Sequence, residues 1–145
     1  MKSKSVSYIL LISIFSMAAC AQNTKTAALE TSTEQTPAIA MNINTDEFAR
    51  LMLEKKDAII LDVRTDAEIA DGFIEGQTQL DFYDASFKDK LGALDKNKPI
   101  MVYCKSAGRS TQVLGMMSEM GFREVYNLEG GFEAWKAAGK TVTKN

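Results

Sequence analysis

The chain has 145 residues, of which 46% are hydrophobic and 25% charged, a balance typical of one globular domain with short additions. Its net charge of -2 gives no sign of a nucleic-acid partner, and the absence of histidine excludes a Ser-His-Asp triad, a Cys-His pair and histidine-ligated zinc. The two cysteines, Cys20 and Cys104, cannot build a metal site by themselves. We therefore expect no metal and no cofactor, and any chemistry at a cysteine has to proceed without a histidine base.

Residues 1–20 have the pattern of an export signal. Two lysines precede an apolar stretch, residues 6–17, that is shorter than the roughly twenty residues of a membrane-spanning helix. Small residues then lead to Cys20, which resembles a bacterial lipobox, although Met17 stands where a leucine-like residue is usual. We expect an exported protein of the bacterial periplasm that a lipid on Cys20 holds in the membrane, with the outer membrane favoured. Ordinary cleavage around residues 19–21, which gives a soluble exported protein, is the alternative.

Residues 21–40 contain many Thr, Ala and Gln residues and almost no large apolar side chain, so they are predicted to form a disordered linker. The folded domain is predicted over residues 41–145. Hydrophobic spacing and turn residues predict these elements in chain order: helix 46–55, strand 58–63, helix 66–70, strand 78–80, helix 86–94, strand 100–103, helix 111–120, strand 125–128 and helix 132–138. Strands that alternate with helices indicate an α/β domain with a mostly parallel sheet.

The segment with the clearest chemical character begins at Cys104, directly after an apolar strand. Small residues follow the cysteine and open the next predicted helix, and such strand ends are where parallel sheets bind ligands. The backbone N–H groups of the loop, the positive end of the helix, and the charges of Lys105 and Arg109 all favour the thiolate. The sequence therefore predicts a nucleophilic cysteine within an anion-binding loop. The members of that loop are Lys105, Ser106, Ala107, Gly108, Arg109 and Ser110.

Three segments together resemble the signatures of the rhodanese-like domain family. The first is residues 61–64 followed by Glu68, the second is the loop 104–110, and the third is residues 128–135, which read Leu-Glu-Gly-Gly-Phe-Glu-Ala-Trp. They occur in the family's order and spacing over about residues 41–143. The resemblance implies a doubly wound, mostly parallel, five-stranded sheet with helices on both faces. It also implies a single-domain sulfurtransferase, here in an exported or lipoprotein form.

Two departures from the family pattern concern loops. The family usually has Gly-His-Ile-Pro-Gly-Ala after the first signature, whereas residues 72–77 have Phe73 in place of the histidine and Glu75 in place of the proline. Ala107 occupies a position that is often glycine. These changes are expected to affect loop packing and the choice of inward-facing N–H groups, and to leave the nucleophile in place.

The resemblance implies that a sulfane sulfur is transferred through a persulfide on Cys104. The thiolate would take the outer sulfur of thiosulfate or a similar small anion. The loop N–H groups and Arg109 would hold the departing sulfite, and Lys105 would attract the donor. Cyanide, a small thiol or a protein would then accept the sulfur. Structural support of the site is expected from Asp62, Arg64 and Glu68.

Two other functions compete with this interpretation. Related phosphatases and arsenate reductases have a cysteine–arginine loop one residue longer, whereas four residues separate Cys104 from Arg109, which is too tight a ring of N–H groups for a tetrahedral phosphate. A non-catalytic persulfide carrier, or a binding module for a partner protein, would have the same loop as an enzyme. Turnover with thiosulfate and cyanide distinguishes carrier from enzyme.

Overall fold

Strands and helices alternate throughout residues 38–144, the part of the chain that the computed structural model describes. In chain order they are β1 (Ile39–Ile43), α1 (Thr45–Glu54), β2 (Ile59–Asp62), α2 (Asp66–Ile69), β3 (Gln77–Gln79), α3 (Phe87–Gly92), β4 (Ile100–Tyr103), α4 (Gly108–Glu119), β5 (Glu124–Leu128) and α5 (Gly131–Ala137). The five strands are parallel and lie in the order β1-β5-β4-β2-β3. The predicted doubly wound α/β sheet is therefore confirmed. None of the helices within residues 38–144 is long and apolar enough to cross a bilayer.

The first strand begins two residues before the predicted domain boundary. Ile39 and Ala40, assigned to the linker from the sequence, pair with Glu124 and Val125 of β5. The hydropathy pattern does not reveal this strand because β1 lies at the sheet edge and its first four residues are exposed. The predictions for the signal segment, for Cys20 and for the linker up to residue 37 lie outside the described residues.

Two apolar cores lie on opposite faces of the sheet. The helices α1 and α5 cover one face, and their buried side chains there are Phe48, Leu51, Phe132 and Trp135. The helices α3 and α4 cover the other face, with Phe87, Leu91, Val113 and Met117. Along β4 the side chains alternate, so that Met101 and Tyr103 face α1 and α5, whereas Val102 faces α3 and α4 together with Cys104, which follows the strand. Because both faces are buried, the central strands read as unbroken apolar runs.

The loop that departs from the family pattern is held by backbone hydrogen bonds. Phe73 and Thr143 form an antiparallel bridge with N···O distances of 2.9 Å in both directions. The backbone N–H of Ile74 donates to the Tyr103 hydroxyl at 3.2 Å. These bonds use main-chain atoms at positions 73 and 74, so they do not require a histidine at Phe73 or a proline at Glu75.

The start of α5 lies directly against the loop that contains Cys104. The backbone N–H of Phe132 donates to the Cys104 carbonyl oxygen at 2.8 Å. The backbone N–H of Glu133 donates to the Lys105 carbonyl oxygen at 3.0 Å. Gly131, at φ 60°, permits this approach, because a Cβ there would lie 2.5 Å from the Cys104 carbonyl oxygen. The glycine pair of the third signature therefore fixes where the cysteine loop sits.

We predict that Gly131→Ala destabilises the domain far more than Gly139→Ala. Both glycines have positive φ, 60° and 68°, so both substitutions carry a backbone cost of about 1 kcal/mol. A Cβ at Gly131 also meets backbone atoms that cannot rotate away, whereas a Cβ at Gly139 meets open space. The additional loss for Gly131→Ala is expected to be about 2 kcal/mol or more, measured by urea unfolding. Equal losses for the two variants would contradict the close approach.

Candidate active site

Cys104 directly follows β4 and is buried, with 1% of its surface exposed. Its sulfur lies at the start of α4, where the N-cap residue, Ala107, offers no side-chain acceptor. The backbone N–H groups of Ser106, Arg109 and Ser110 act on the sulfur instead and lower the pKa of its thiol. The first N–H groups of a helix have no partner within the helix and favour a negative charge. The cysteine sulfur therefore takes the place of a capping acceptor, and it does so best as a thiolate.

Burial and hydrogen bonding act on this thiol in opposite directions. Burial raises the pKa of Cys104 because it removes water from the charged form. The hydrogen bonds from the Ser110 hydroxyl and from the three backbone N–H groups lower the pKa and outweigh burial, so the pKa lies below the usual value for a thiol. The direction agrees with the sequence prediction. The structure adds the cause, which is chiefly this set of donors at the sulfur.

The contact with α5 explains why one of these donors points inward. In a trans peptide the C=O and N–H groups point in opposite directions. The Lys105 carbonyl is held by the N–H of Glu133, so the N–H of the same peptide, which belongs to Ser106, is directed the other way, toward the sulfur. The third signature thus orients one donor of the second.

The Ser110 hydroxyl has two acceptors within reach and one proton to give. Its Oγ lies 3.5 Å from the Cys104 Sγ and 3.2 Å from the Ala107 carbonyl oxygen. Hydrogen bonds to ionised acceptors are the stronger ones, so deprotonation of the thiol draws the hydroxyl proton toward the sulfur. Ser110 is fully buried, which keeps water from competing for either bond.

Ala107 adopts a left-handed backbone conformation, which glycine adopts more readily than any other residue. Its φ of 72° is left-handed, and within residues 38–144 it is the one non-glycine residue with positive φ. A side chain in this region costs roughly 1–2 kcal/mol. The loop therefore holds this left-handed turn with an alanine, at the expense of local strain. The effect of Ala107 on the choice of inward-facing N–H groups stays a prediction.

Arg109 is paired with Glu68 through two parallel hydrogen bonds of 2.8 and 2.6 Å. The same carboxylate accepts from the backbone N–H and the hydroxyl of Thr65, at 3.0 and 3.1 Å. The bonds from Arg109 lower the pKa of Glu68 to about 2, against the opposing effect of burial. The sequence predicted both residues at the site but not this pair. The guanidinium charge is thus offset by a carboxylate, and the contact of Arg109 with the sulfur is through its backbone N–H.

Asp62 and Arg64 form a buried ion pair. The Arg64 guanidinium is 2% exposed and donates to the Asp62 carboxylate at 2.6 and 3.0 Å. It also donates to the carbonyl oxygens of Glu68 and Gly72, at 3.2 and 3.0 Å. Its carbon lies 4.0 Å from the centre of the Phe132 ring. Arg64 therefore joins the end of β2 to α2, to the following loop and to α5.

Lys105 lies exposed at the edge of the loop, beside a cleft of about 70 Å³. The cleft is also lined by Phe132, Lys136 and Asp71. The sequence analysis named Lys105 but gave the other three no role at the site, because Phe132 and Lys136 lie on α5 and Asp71 follows α2, all far from the cysteine loop in the sequence. It also gave no role to Gly131, for which the adjacent pair of glycines was an available signal.

A buried cysteine with a lowered pKa lies at the carboxyl end of a central parallel strand, against the N-terminus of a helix. This arrangement defines a class of domain suited to nucleophilic chemistry at sulfur. The family model described as "Rhodanese-like domain" matches residues 44–138, and the chain belongs to that family.

The alignments of this chain with two relatives that have curated names span most of the length of each relative. The chain is 36% identical over 94 residues to "Thiosulfate sulfurtransferase GlpE" of Coxiella burnetii, which covers 65% of this chain and 86% of that protein. It is 30% identical over 100 residues to "Sulfurtransferase" of Allochromatium vinosum, which covers 69% and 92% respectively. The crystal structure of a rhodanese-like domain protein from Staphylococcus aureus matches with a TM-score of 0.61 and 31% identity, over 72% of this chain and 97% of that one. These similarities support sulfur transfer in general.

We predict that Ser110→Ala raises the pKa of Cys104 by about one unit, because it removes a hydrogen bond to the charged sulfur. The thiolate fraction at neutral pH should fall accordingly. Ser106→Ala is the matched control, because Ser106 contributes its backbone N–H, which the substitution keeps. The ultraviolet absorbance of the thiolate against pH measures the change, with Cys104→Ser as the blank. An unchanged titration in Ser110→Ala would mean that the hydroxyl stays on the Ala107 carbonyl.

Proposed function

We propose that the protein is a thiosulfate-type sulfurtransferase that carries a sulfane sulfur on Cys104. The observation that supports this most directly is a buried sulfur with the Ser110 hydroxyl 3.5 Å away and with the N–H groups of Ser106, Arg109 and Ser110 lowering its pKa. These donors stabilise a thiolate before the reaction and a persulfide anion after it. The donor is thiosulfate or a similar small anion, and the acceptor is cyanide, a small thiol or a protein thiol.

In the loading step, the Cys104 thiolate attacks the outer sulfur of thiosulfate. A bond forms between Sγ and that sulfur, the sulfur–sulfur bond of thiosulfate breaks, and its electron pair leaves with sulfite. The outer sulfur keeps one negative charge as the persulfide anion, and sulfite leaves as a dianion. The loop donors are already in place for that charge, so little reorganisation is required.

In the discharge step, the outer sulfur of the persulfide has to be transferred to an acceptor from outside the domain. Cys104 is the free cysteine among residues 38–144, so this part of the chain offers no second thiol to resolve the persulfide. The persulfide therefore persists when acceptor is scarce. The two half-reactions are separated in time, which predicts ping-pong kinetics.

A persulfide carrier is the second candidate, and the burial of Cys104 favours it. A sulfur that is 1% exposed is protected from stray nucleophiles, which suits a group held for one partner protein. Enzyme and carrier differ in whether small acceptors discharge the persulfide repeatedly. The phosphatase alternative is disfavoured by the four residues between Cys104 and Arg109.

We predict that incubation with thiosulfate alone adds one sulfur atom to the protein, and that cyanide removes it. Cys104→Ser should abolish both, because a serine hydroxyl in this loop does not ionise. Cys20→Ser is the matched control and should load normally. Intact-protein mass spectrometry and the initial rate of thiocyanate formation are the measurements.

Three other results would contradict this proposal or favour one of the alternatives. Uptake of sulfur without repeated discharge to cyanide or small thiols would favour the carrier. Hydrolysis of aryl phosphates with no sulfur on Cys104 would favour the phosphatase. Loading that persists in Cys104→Ser would remove the proposed nucleophile.

We also propose that the protein is exported to the bacterial periplasm and anchored by a lipid on Cys20, with the outer membrane favoured. The support is the sequence of residues 1–20, with its lysines, apolar stretch and small residues before Cys20. Cys20→Ser is predicted to move the protein from the membrane fraction to the soluble one. Cell fractionation and identification of the mature N-terminus check this. A soluble wild-type protein that begins at Gln22 would contradict the anchor and leave simple export.

A further inference from the structure

Each of the three cations in the first two signatures has a carboxylate partner. The ion pairs are Arg64–Asp62, Lys105–Glu133 and Arg109–Glu68. The charges that these side chains bring to the cysteine loop are therefore largely balanced. The first turn of α4 adds roughly half a positive charge to this balance.

The pair of Arg109 and Glu68 is the one built into the start of α4. The guanidinium directs both of its terminal nitrogens to the carboxylate, at 2.8 and 2.6 Å. The centre of the Tyr83 ring lies 5.5 Å from the guanidinium carbon, and only 14% of the Arg109 side chain is exposed. The pKa of Glu68 is about 2, so this carboxylate is ionised at neutral pH. A small anion at the sulfur therefore meets a guanidinium whose charge is largely cancelled.

The charge of Arg109 nevertheless reaches the sulfur. The backbone N–H of Arg109 acts on the Cys104 thiol. The pKa of Arg109 is raised chiefly by its hydrogen bonds to Glu68 and, to a smaller extent, by the charge of the Cys104 thiolate. In the loading step the outer sulfur of the donor bonds to Sγ, so the rest of a small donor lies within a few ångströms of Sγ whichever way it enters. Charges that act on the sulfur therefore act on the donor as well.

From this balance we infer that Glu68 is a specificity-determining residue, which acts through Arg109 and favours sulfane-sulfur donors with one negative charge over donors with two. A thiolate that attacks a dianion accumulates three negative charges, whereas one that attacks a monoanion accumulates two. Because Glu68 cancels much of the Arg109 charge, the site stabilises the third negative charge poorly. The inference rests on the proposed function, since it names the donor class for the same persulfide.

Thiosulfate and methanethiosulfonate are a matched pair of donors, with two negative charges and one. The Cys104 thiolate attacks the outer sulfur of either donor, the sulfur–sulfur bond of the donor breaks, and its electron pair leaves with sulfite or with methanesulfinate. The same persulfide anion forms on Cys104 in both cases, and no oxidant or reductant is consumed. A change in the ratio of the two loading rates between variants therefore reports the charge at the site.

Substitutions at the ion pair change this charge in either direction. Glu68→Gln should raise the loading rate with thiosulfate, relative to methanethiosulfonate, by about fivefold, the order of magnitude of one charge interaction near a protein surface. Arg109→Gln should lower the ratio by a similar factor, because it leaves the Glu68 carboxylate uncompensated. The double variant restores the balance and should return the ratio close to that of the wild type. Mass spectrometry of the Cys104 peptide, after the full-length protein is mixed with excess donor, gives both rates.

The ratio separates this role from a merely structural one, because a loop that has lost its support would load more slowly from both donors alike. Glu54→Gln is the matched control. It removes the carboxylate 2.6 Å from Arg50 on α1, the helix that covers the sheet face opposite to the one that Cys104 faces. This control should have the ratio of the wild type.

Salt dependence tests the inference without relying on a substitution. Added salt screens repulsion between charges, so the ratio in the wild type should rise with ionic strength, and it should rise less in Glu68→Gln. A ratio that falls with salt in the wild type, or that is unchanged in both single variants, would overturn the inference and leave sulfur transfer intact. An equal shift in Glu54→Gln would also overturn it. A protein that takes up sulfur from neither donor would overturn the proposed function and the inference together.

Discussion

The backbone contact between α5 and the Cys104 loop is the constraint on which the site depends. Two carbonyl groups of the loop are held by the first N–H groups of α5, and only a residue without a side chain fits at Gly131. Fixing those carbonyls outward directs the N–H of Ser106 inward. One of the donors that act on the sulfur is therefore oriented from outside the loop, by a segment that follows it in the chain.

The three family signatures also form one connected structure. The first supplies Glu68, which holds Arg109 of the second, and it supplies Arg64, whose guanidinium lies against Phe132 of the third. Each link joins groups far apart in sequence, and each is at least partly shielded from water, where hydrogen bonds to charged groups are stronger. These contacts hold the cysteine loop against α2 and against α5.

Much of the fold was predictable because its signals are local. The apolar runs of β2, β4 and β5, and the glycines that end or begin helices, identify most elements. The edge strand β1 was missed because its pairing, not its hydropathy, makes it a strand. At the site, the role of Cys104 in the loop follows from its neighbours in the chain. The pairing of Arg109 with Glu68 does not, because the two positions are 41 apart in the sequence and neither residue by itself indicates its partner.

The direction in which the chain enters the sheet has a consequence for how the protein meets its surroundings. β1 begins at Ile39 and runs parallel to the other strands, so it starts at the edge of the sheet opposite the one where Cys104 lies. A strand of four or five residues spans roughly 15 Å. The chain therefore enters the domain on the side of the sheet away from Cys104. A molecule that approaches the cysteine loop meets the opposite side of the sheet from the one where β1 begins.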